Sequence, residues 1–567
     1  NNLGVTIPAL TDVDAASPAG LTFGEQTNGG PLDPLGGTLV YNRRGTVVPT
    51  ITVTEGAVVT TFRGGAGALH DPTAAMYVMT EDMVDPANPK AGLKPGVPVE
   101  PIVLRANAGD CIEVTLNNML PHEEVILAGA DGILGTADDE TVVNELPMPD
   151  LAGWQDGMWV VKDRIQVDPV TGGKAMHFFN QNDVIPSSKA GMHTQLVEYD
   201  MSRHDGVVVG GNNRNTLASA GGRTTYRWYA GHLETEFVGQ QGNTRQFQLV
   251  ASPVEFGAVN ILSADRVKQP TKGMFGSLVI EPLGATWTED TQVPDGQMAV
   301  NADGTLNQAG TRLTRAQVSV DAGTAGAAGE NGQYREALTI GHKLTNLRWK
   351  DGTAIANINQ GELGREGAED SGHAGFNYGA EPSWFRFKLP PDVPFGNAGT
   401  PNSFGSIANP QAMYANELVA AEPNAIPAIP GVAAAGDPQT PVFRATADPA
   451  NPVNDTRMYV LNGASADRDG VFILHGHVWD REPYVCSGDA DLTLVGRCDS
   501  ASVASNAFGL NPQGKAMGGQ EGMGHVFSHW PIHFDAGGSN AVTGDYLYRD
   551  YSPSGNRNGM FGILRVE

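Results

Sequence analysis

Basic residues and long apolar runs are scarce in this chain of 567 residues. Lys and Arg number 36 against 63 Asp and Glu, which gives a formal net charge of −27. A nucleic-acid-binding protein needs a basic surface, and an anionic membrane surface would repel this chain, so neither partner is expected. No apolar run approaches the ~18 residues of a membrane span, so no span is expected either.

Cysteine is also scarce, with residues at 111, 486 and 498 only. Cys486 and Cys498 would close a short loop as a disulfide, which would indicate an oxidising compartment. The alternative is two reduced thiols in a cytoplasmic protein. Cys111 alternates with Ile112 and Val114, from which we predict a buried strand residue. We interpret the first residues (NNLG) as the mature end of a secreted, extracellular or cell-surface protein, with the periplasm as the alternative location.

Glycine is abundant, at 72 residues, and 37 residues are proline, while only 17% of the chain is charged. Many glycines and few charges favour short strands joined by loops over helical bundles. Alternating or β-rich runs predict strands at 102–105, 111–116, 245–250, 384–389 and 458–461. Helical periodicity is not evident over any long window. We therefore predict an all-β protein with long loop insertions.

An internal repeat sets the expected number of domains. Residues 273–281 (GMFGSLVIE) nearly recur at 559–567 (GMFGILRVE), 286 positions later. His193 and His475 give a second echo at an offset of 282. Two echoes at nearly one offset indicate a duplicated domain. We predict an N-terminal extension over 1–35, a first β-sandwich over 36–285 and a second over 290–567.

Histidine is uncommon, at 13 residues, and one close pair stands in the segment 475–479 (HGHVW). On a strand, residues i and i+2 share a face, so His475 and His477 would point the same way. Both are candidate metal ligands. Alternatively, one imidazole binds the metal while the other makes a structural hydrogen bond.

This segment resembles the HxHGHxF motif of multicopper oxidases, and further stretches fit the same family in the same order. Residues 104–118 (LRANAGDCIEVTLNN) resemble the strand pair of the family's first domain, and residues 191–195 (GMHTQ) lie where the family has its HxHG motif. Residues 226–232 (YRWYAGH) resemble its WYHSH motif. Residues 544–560 lie where it has its HCH motif and its axial methionine. Within this family, the chain resembles the large bacterial copper-oxidase-like proteins that are related to manganese oxidases. The resemblance implies two cupredoxin-like Greek-key β-sandwiches.

The resemblance also implies that most copper ligands are lost. Asp550 stands where the family has its blue-copper cysteine, and only Met560 remains of that site's four ligands. The eight cluster positions keep histidine at three residues, which are His193, His232 and His475. In the family, the equivalents of His232 and His475 bind one copper ion, so one copper between the domains is implied, with His193 near. The alternative is that these histidines are relics retained for packing.

Carboxylates surround a glycine-rich turn at 131–140 (DGILGTADDE). Calcium takes roughly six to eight oxygen ligands, which such a loop supplies. Asp131, Asp138 and Asp139 are therefore candidate calcium ligands. A solvated acidic turn is the alternative.

Two functions follow as hypotheses. The first is a secreted multicopper-oxidase-like protein with few copper ions, limited to one-electron or Lewis-acid chemistry and without blue-copper turnover. The second is a non-catalytic extracellular surface or assembly protein stabilised by calcium. Two-domain relatives share their copper cluster between subunits of a ring, so the resemblance implies a homo-oligomer, whereas an open head-to-tail contact would give a filament.

Overall fold

A computed structural model gives the fold. The structure describes residues 39–42, 47–67, 69–71, 74–88, 93, 100–120, 123–127, 140–144, 165–167, 174–176, 187–207, 216–265, 269–292, 311–323, 333–344, 347–351, 353, 355, 373–380, 382–386, 388–391, 442–443, 455–464, 470–480, 517–522, 528–551 and 558–566. Their regular structure is almost entirely β-strand, which confirms the predicted all-β class. Within these ranges, the helices are all too short or too polar to cross a membrane.

In the first half, β7 and β8 coincide with two of the predicted strands, and β16 contains a third. The strands of this half are β1 Leu39–Asn42, β2 Val47–Val48, β3 Ile51–Glu55, β4 Val58–Phe62, β5 Gly65–Ala66, β6 Leu69–Asp71, β7 Ile102–Asn107, β8 Cys111–Asn117, β9 Glu123–Leu127, β10 Glu140–Asn144, β11 Ile165–Val167, β12 Lys174–Met176, β13 Met192–Thr194, β14 Arg223–Tyr229, β15 Gly231–Gln241, β16 Thr244–Pro253, β17 Gly257–Ser263 and β18 Gly276–Glu281.

The second half contains the predicted strand 458–461 within β24 and one short helix. Its elements are β19 Thr286–Gln292, β20 Thr311–Asp321, β21 Gln333–Leu344, β22 His373–Phe376, α1 Ser383–Arg386, β23 Val442–Phe443, β24 Asp455–Ala464, β25 Val471–Leu474, β26 Trp479–Asp480, β27 Met517–Gly518, β28 Gln520–Gly522, β29 His529–Asp535, β30 Gly544–Asp550 and β31 Phe561–Val566. Short 3₁₀ turns occupy Thr80–Asp82, Pro270–Lys272 and Gly538–Asn540.

Each half packs two sheets face to face. In the first half, the sheet β13-β17-β18-β7 covers the pair β14-β8, and the side chains between them include Trp228, Ile261 and Leu278. In the second half, the sheet built around β21, β24 and β29 faces the sheet β23-β31-β30-β25-β28. Val460 and Tyr548 lie in the core between those two sheets. Alternating strand residues therefore build two sandwich cores.

The sequence repeat is also a repeat of strand order. The order β13-β17-β18-β7 matches β25-β30-β31-β23, with β18 and β7 parallel, β31 and β23 parallel, and the other neighbours antiparallel. Gly273 and Gly559 precede β18 and β31, and both have a φ of 108°, a conformation that favours glycine. The domain boundaries near 35 and 285 themselves stay a prediction.

The strand register shows that His193 and His475, which were matched in the second sequence repeat, are not equivalent residues. When β18 is aligned with β31, Leu262 on β17 becomes equivalent to Arg549 on β30. Their partners on the next strand are His193 and Ile473. His193 is therefore equivalent to Ile473 and not to His475, so the offset of 282 is wrong by two residues. Periodicity alone could not find this, because the connections between the paired strands differ in length in the two halves.

Buried ion pairs join segments that are far apart in the chain. Nζ of Lys272 lies 3.0 Å from a carboxylate oxygen of Asp71, and both side chains are almost fully buried. Arg105 on β7 forms ion pairs with Glu281 on β18 and with Glu336 on β21, across the two halves. Burial raises the pKa of Glu336. These pairs fix the relative position of their strands because an unpaired buried charge is strongly unfavourable.

Two local predictions are wrong. The segment 384–389 is not a strand, because Ser383–Arg386 forms one helical turn in which the adjacent residues Trp384 and Phe385 are both buried; Trp384 packs edge-on against Trp349 at 5.5 Å. Cys111 is exposed and is a free thiol. It lies on the face of β8 opposite to Ile112, whose face packs against the core, because successive strand residues point to opposite sides.

Candidate metal centre

His475 follows β25 directly, and its imidazole is already engaged. Its backbone N–H donates to the carbonyl of Leu547, which anchors it beside β30. Nε of Arg549 donates a hydrogen bond to Nε2 of His475 over 3.1 Å. Burial lowers the pKa of His475, and the charge of Arg549 lowers it further. The ring is therefore neutral and uses a metal-binding lone pair to accept from a cation.

His477 uses both of its ring nitrogens within the protein. Nδ1 lies 3.1 Å from the carbonyl oxygen of His475, and the backbone N–H of Gly537 donates to Nε2 over 3.0 Å. Because Nε2 accepts, Nδ1 carries the proton and donates. The ring stands edge-on to Tyr546 at 4.4 Å between centroids, and burial lowers its pKa. Of the alternatives for His475 and His477, this arrangement corresponds to the one in which His477 makes structural hydrogen bonds.

His193 lies on β13 with its ring held by the loop that contains Asp205. Nδ1 lies 2.7 Å from the backbone carbonyl of Asp205 and 3.4 Å from the carboxylate of the same residue. Tyr199 packs edge-on to the ring at 6.2 Å between centroids. These contacts orient the ring through Nδ1, as the outer partners of a metal-binding histidine do.

His232 stands near the start of β15 with 54% of its side chain exposed. Nδ1 lies 3.0 Å from the carboxylate of Glu198, and Nε2 lies 3.3 Å from the carboxylate of Glu234. Each ring nitrogen thus faces a carboxylate within the protein.

Asp550 and Met560, at two implied positions of the blue-copper centre, and Arg549, at an implied position of the copper cluster, are engaged in structural contacts. Asp550 accepts a hydrogen bond on Oδ1 from the backbone N–H of Val471 over 2.9 Å, and its own N–H donates to the carbonyl of Met560. Met560 is buried and packs against Gly341. The guanidinium of Arg549 stacks over Tyr551, 5.1 Å from its ring centroid. A carboxylate bound to the backbone and a guanidinium do not fit the thiolate and imidazoles of a copper site.

The structure does not gather the four candidate histidines into a metal-binding cluster. In the described part of the chain, no group of three or more His, Cys, Asp or Glu side chains is arranged to hold a metal ion. The candidate calcium ligands Asp131, Asp138 and Asp139 lie outside the described residues, as do Cys486 and Cys498. Those predictions remain predictions. Sequence reasoning did not find the contact of Arg549 with His475, which depends on the register of β25 against β30.

Comparisons with known proteins give similar structures but no related sequence. No family model matches the chain, and no curated protein matches it. A multicopper oxidase is similar at a TM-score of 0.29 and 9% identity, over 67% of this chain and 70% of that one. A copper nitrite reductase from Nitrosomonas europaea is similar at a TM-score of 0.33 and 9% identity, over 92% of both chains. A blue copper oxidase from the same organism is similar at a TM-score of 0.30 and 10% identity, over 92% of this chain and 84% of that one.

These values are too low to carry the copper chemistry of those proteins over to this chain. The two sandwich cores and the chemistry of its own side chains are the basis for a functional proposal.

Proposed function

We propose that this protein is a non-catalytic, secreted scaffold that assembles with copies of itself. It is built on two β-sandwiches and binds no copper ion at its histidines. The observation that supports this proposal is the hydrogen bond from Arg549 to Nε2 of His475. A copper ion at this imidazole would have to displace the guanidinium and would then lie beside its positive charge. Low dielectric around the half-buried ring would strengthen that repulsion.

The hairpin of β15 and β16 supports the assembly part of the proposal. Among the described residues, these strands pair only with each other, and most of their side chains are exposed. Phe237, Phe247 and Leu249 are 57%, 55% and 67% exposed. An isolated two-stranded hairpin is marginally stable in water, so a partner that covers this face would stabilise it.

A second copy of the chain is the partner that the charges favour. Both strands of the hairpin are edge strands, and β16 (TRQFQLVASP) has no acidic residue, although the whole chain carries a net charge of −27. Edge strands are commonly protected from pairing by charged side chains, and Arg245 is the one charge on β16. Two β16 strands related by a two-fold axis could therefore pair without acidic repulsion along the contact.

Light scattering on the purified full chain tests this proposal. We expect the protein to be a dimer or larger at micromolar concentration, and the double variant Phe247→Lys/Leu249→Lys to be monomeric. The matched control is Val58→Lys/Val59→Lys on the separate hairpin of β3 and β4, where both residues are also more than half exposed; it should assemble normally. A monomeric wild-type protein, or a lysine variant of β16 that still assembles, would overturn the proposal.

The competing hypothesis is one copper ion held by His232 and His475. It predicts stoichiometric Cu(II) that is lost in His475→Ala, whereas a relic histidine predicts none. As part of the scaffold proposal, calcium bound at 131–140 stabilises the fold. The proposed disulfide of Cys486 and Cys498 would need an oxidising compartment, which is why the scaffold is proposed to be secreted.

A further inference from the structure

Methionine side chains are concentrated around one cavity in the first half. The cavity has a volume of about 310 Å³ and is lined by 20 residues. Six of the chain's 16 methionines are among them. They are Met76, Met79, Met83, Met119, Met192 and Met274. We propose that this cavity binds a soft monovalent metal ion, of the Cu(I) or Ag(I) class, through thioether sulfurs.

Four separate segments bring these methionines together. Met76, Met79 and Met83 belong to one segment around the 3₁₀ turn Thr80–Asp82, and Met119 follows β8. Met192 is the first residue of β13, and Met274 lies in the turn that leads into β18. A cluster drawn from four segments is a property of the fold, since no short motif in the sequence would produce it.

The buried members are held in place by the backbone. The N–H of Met192 donates to the hydroxyl of Tyr226 over 3.3 Å, and the N–H of Met274 donates to the carbonyl of Gln269 over 2.9 Å. Met83, Met192 and Met274 are buried, whereas Met76, Met79 and Met119 are half-buried. The cavity therefore combines buried methionines, of which Met192 and Met274 have hydrogen-bonded backbone, with others that solvent can reach, which gives a metal ion a path of entry.

The chemistry of the lining selects the class of ion. Thioether sulfur is a soft, neutral, polarisable ligand that prefers Cu(I) over hard divalent ions. Among the described residues, those that line the cavity include no Lys, Arg, His or Cys, so none of them repels a cation or offers the thiolate or imidazole that favours zinc. Its two carboxylates form ion pairs with arginines, Glu81 with Arg315 and Glu113 with Arg227, so they do not supply a hard-ion site.

This site is independent of the histidines and of the proposed scaffold function. Methionines also fill gaps in apolar cores, and a cavity of this size could accept a small apolar molecule instead. The experiment must therefore report on the sulfur atoms themselves.

The test is NMR of the full chain labelled with ¹³C at the methionine methyl groups and titrated with Ag(I). We expect at least three methyl signals of the cavity to shift and to saturate at one equivalent. The methyl signal of Met201, which is 71% exposed and outside the cavity, is the internal control and should not move at that ratio. The exposed thiol of Cys111 would bind Ag(I) more tightly than a thioether does, so the titration uses protein whose free thiols have first been alkylated.

A triple variant, Met76→Leu/Met79→Leu/Met119→Leu, provides the matched comparison. Leucine keeps a similar volume and removes the sulfur, so its circular dichroism should be unchanged while its affinity for Ag(I) at the cavity falls at least tenfold. Met201→Leu should bind as the wild type does. The proposal is overturned if the cavity methyl signals do not respond to Ag(I), if the triple variant binds equally well, or if a neutral apolar dye shifts those signals and Ag(I) does not.

Discussion

Arg549 donates a hydrogen bond from Nε to Nε2 of His475 over 3.1 Å, from β30 to the residue that follows β25. The adjacent backbone supports this contact, because Ile473 pairs with Arg549 in the strand register. The imidazole is thereby held neutral and oriented by a cation. A histidine in this state contributes to packing between two strands, and that role explains its presence without a metal ion.

Replacing Arg549 by alanine should raise the pKa of His475. The guanidinium is a positive charge that disfavours a second positive charge on the ring, and its removal also admits water to a partly buried imidazole. The measurement is an NMR titration of the His475 ring in wild type and Arg549→Ala. Arg227→Ala, which removes an exposed pair with Glu113, is the control. An unchanged pKa of His475 in Arg549→Ala would show that the contact does not govern the ring.

Breaking the buried pair of Lys272 and Asp71 should destabilise the protein strongly. Lys272→Met removes the cation that lies 3.0 Å from the buried carboxylate of Asp71, and removing one partner of a buried ion pair costs about 3–5 kcal/mol. The free energy of unfolding in urea measures the effect. Arg203→Ala removes an exposed pair with Asp200 and should change that free energy by about 0.5 kcal/mol or less. Equal effects of the two substitutions would contradict the buried arrangement.

His342 should make the stability depend on pH. Burial lowers the pKa of His342 to about 3 from an ordinary value of 6.5, so the folded protein keeps this ring neutral while the unfolded chain protonates it. Its contribution is complete above about pH 6.5 and is lost as the pH falls towards 3.

His342→Gln removes the titrating group and provides the comparison. Between pH 7 and pH 5, the free energy of unfolding of the wild type should fall by about 2 kcal/mol more than that of the variant. Urea unfolding at the two pH values gives this difference. A wild type and variant that respond equally to pH would argue that His342 is accessible to protons in the folded state.

Calcium should raise the thermal unfolding temperature if the acidic turn at 131–140 binds it. An ion that binds only the folded state stabilises that state by mass action. The effect of added calcium should disappear after chelation and in the variant Asp138→Asn/Asp139→Asn. Magnesium at the same concentration is the control, because its smaller and more rigid coordination suits such a loop poorly. A solvated acidic turn would give no difference between the two ions.

The fold class could be predicted because the alternation of apolar and polar residues within a strand, and the recurrence of a segment, can both be seen in the sequence itself. The runs at 102–105 and 458–461 are strands as predicted, and the repeat at 273–281 and 559–567 marks equivalent strands β18 and β31. The run at 384–389 could not be read correctly, because it also alternates in sequence. Contact with Trp349 overrides that pattern and buries two adjacent aromatic side chains.

The candidate site was only partly predictable. The motif around His475 identifies the residue and its place beside a strand, but the partner of its ring comes from β30, 74 positions later. The thioether cavity could not be predicted at all, since its methionines come from four segments that only the folded chain brings together. Residues separated widely in sequence leave no periodic signal.

The most direct measurement is electron paramagnetic resonance of the full-length protein after addition of one equivalent of Cu(II) and removal of unbound metal. This spectrum reports Cu(II) alone and is blind to any monovalent ion in the thioether cavity. We predict a spectrum without a stoichiometric Cu(II) signal and identical results for wild type and His475→Ala. A signal of one Cu(II) per chain with nitrogen coupling, abolished in His475→Ala, would contradict the proposal of a non-catalytic scaffold and support a copper site at this histidine.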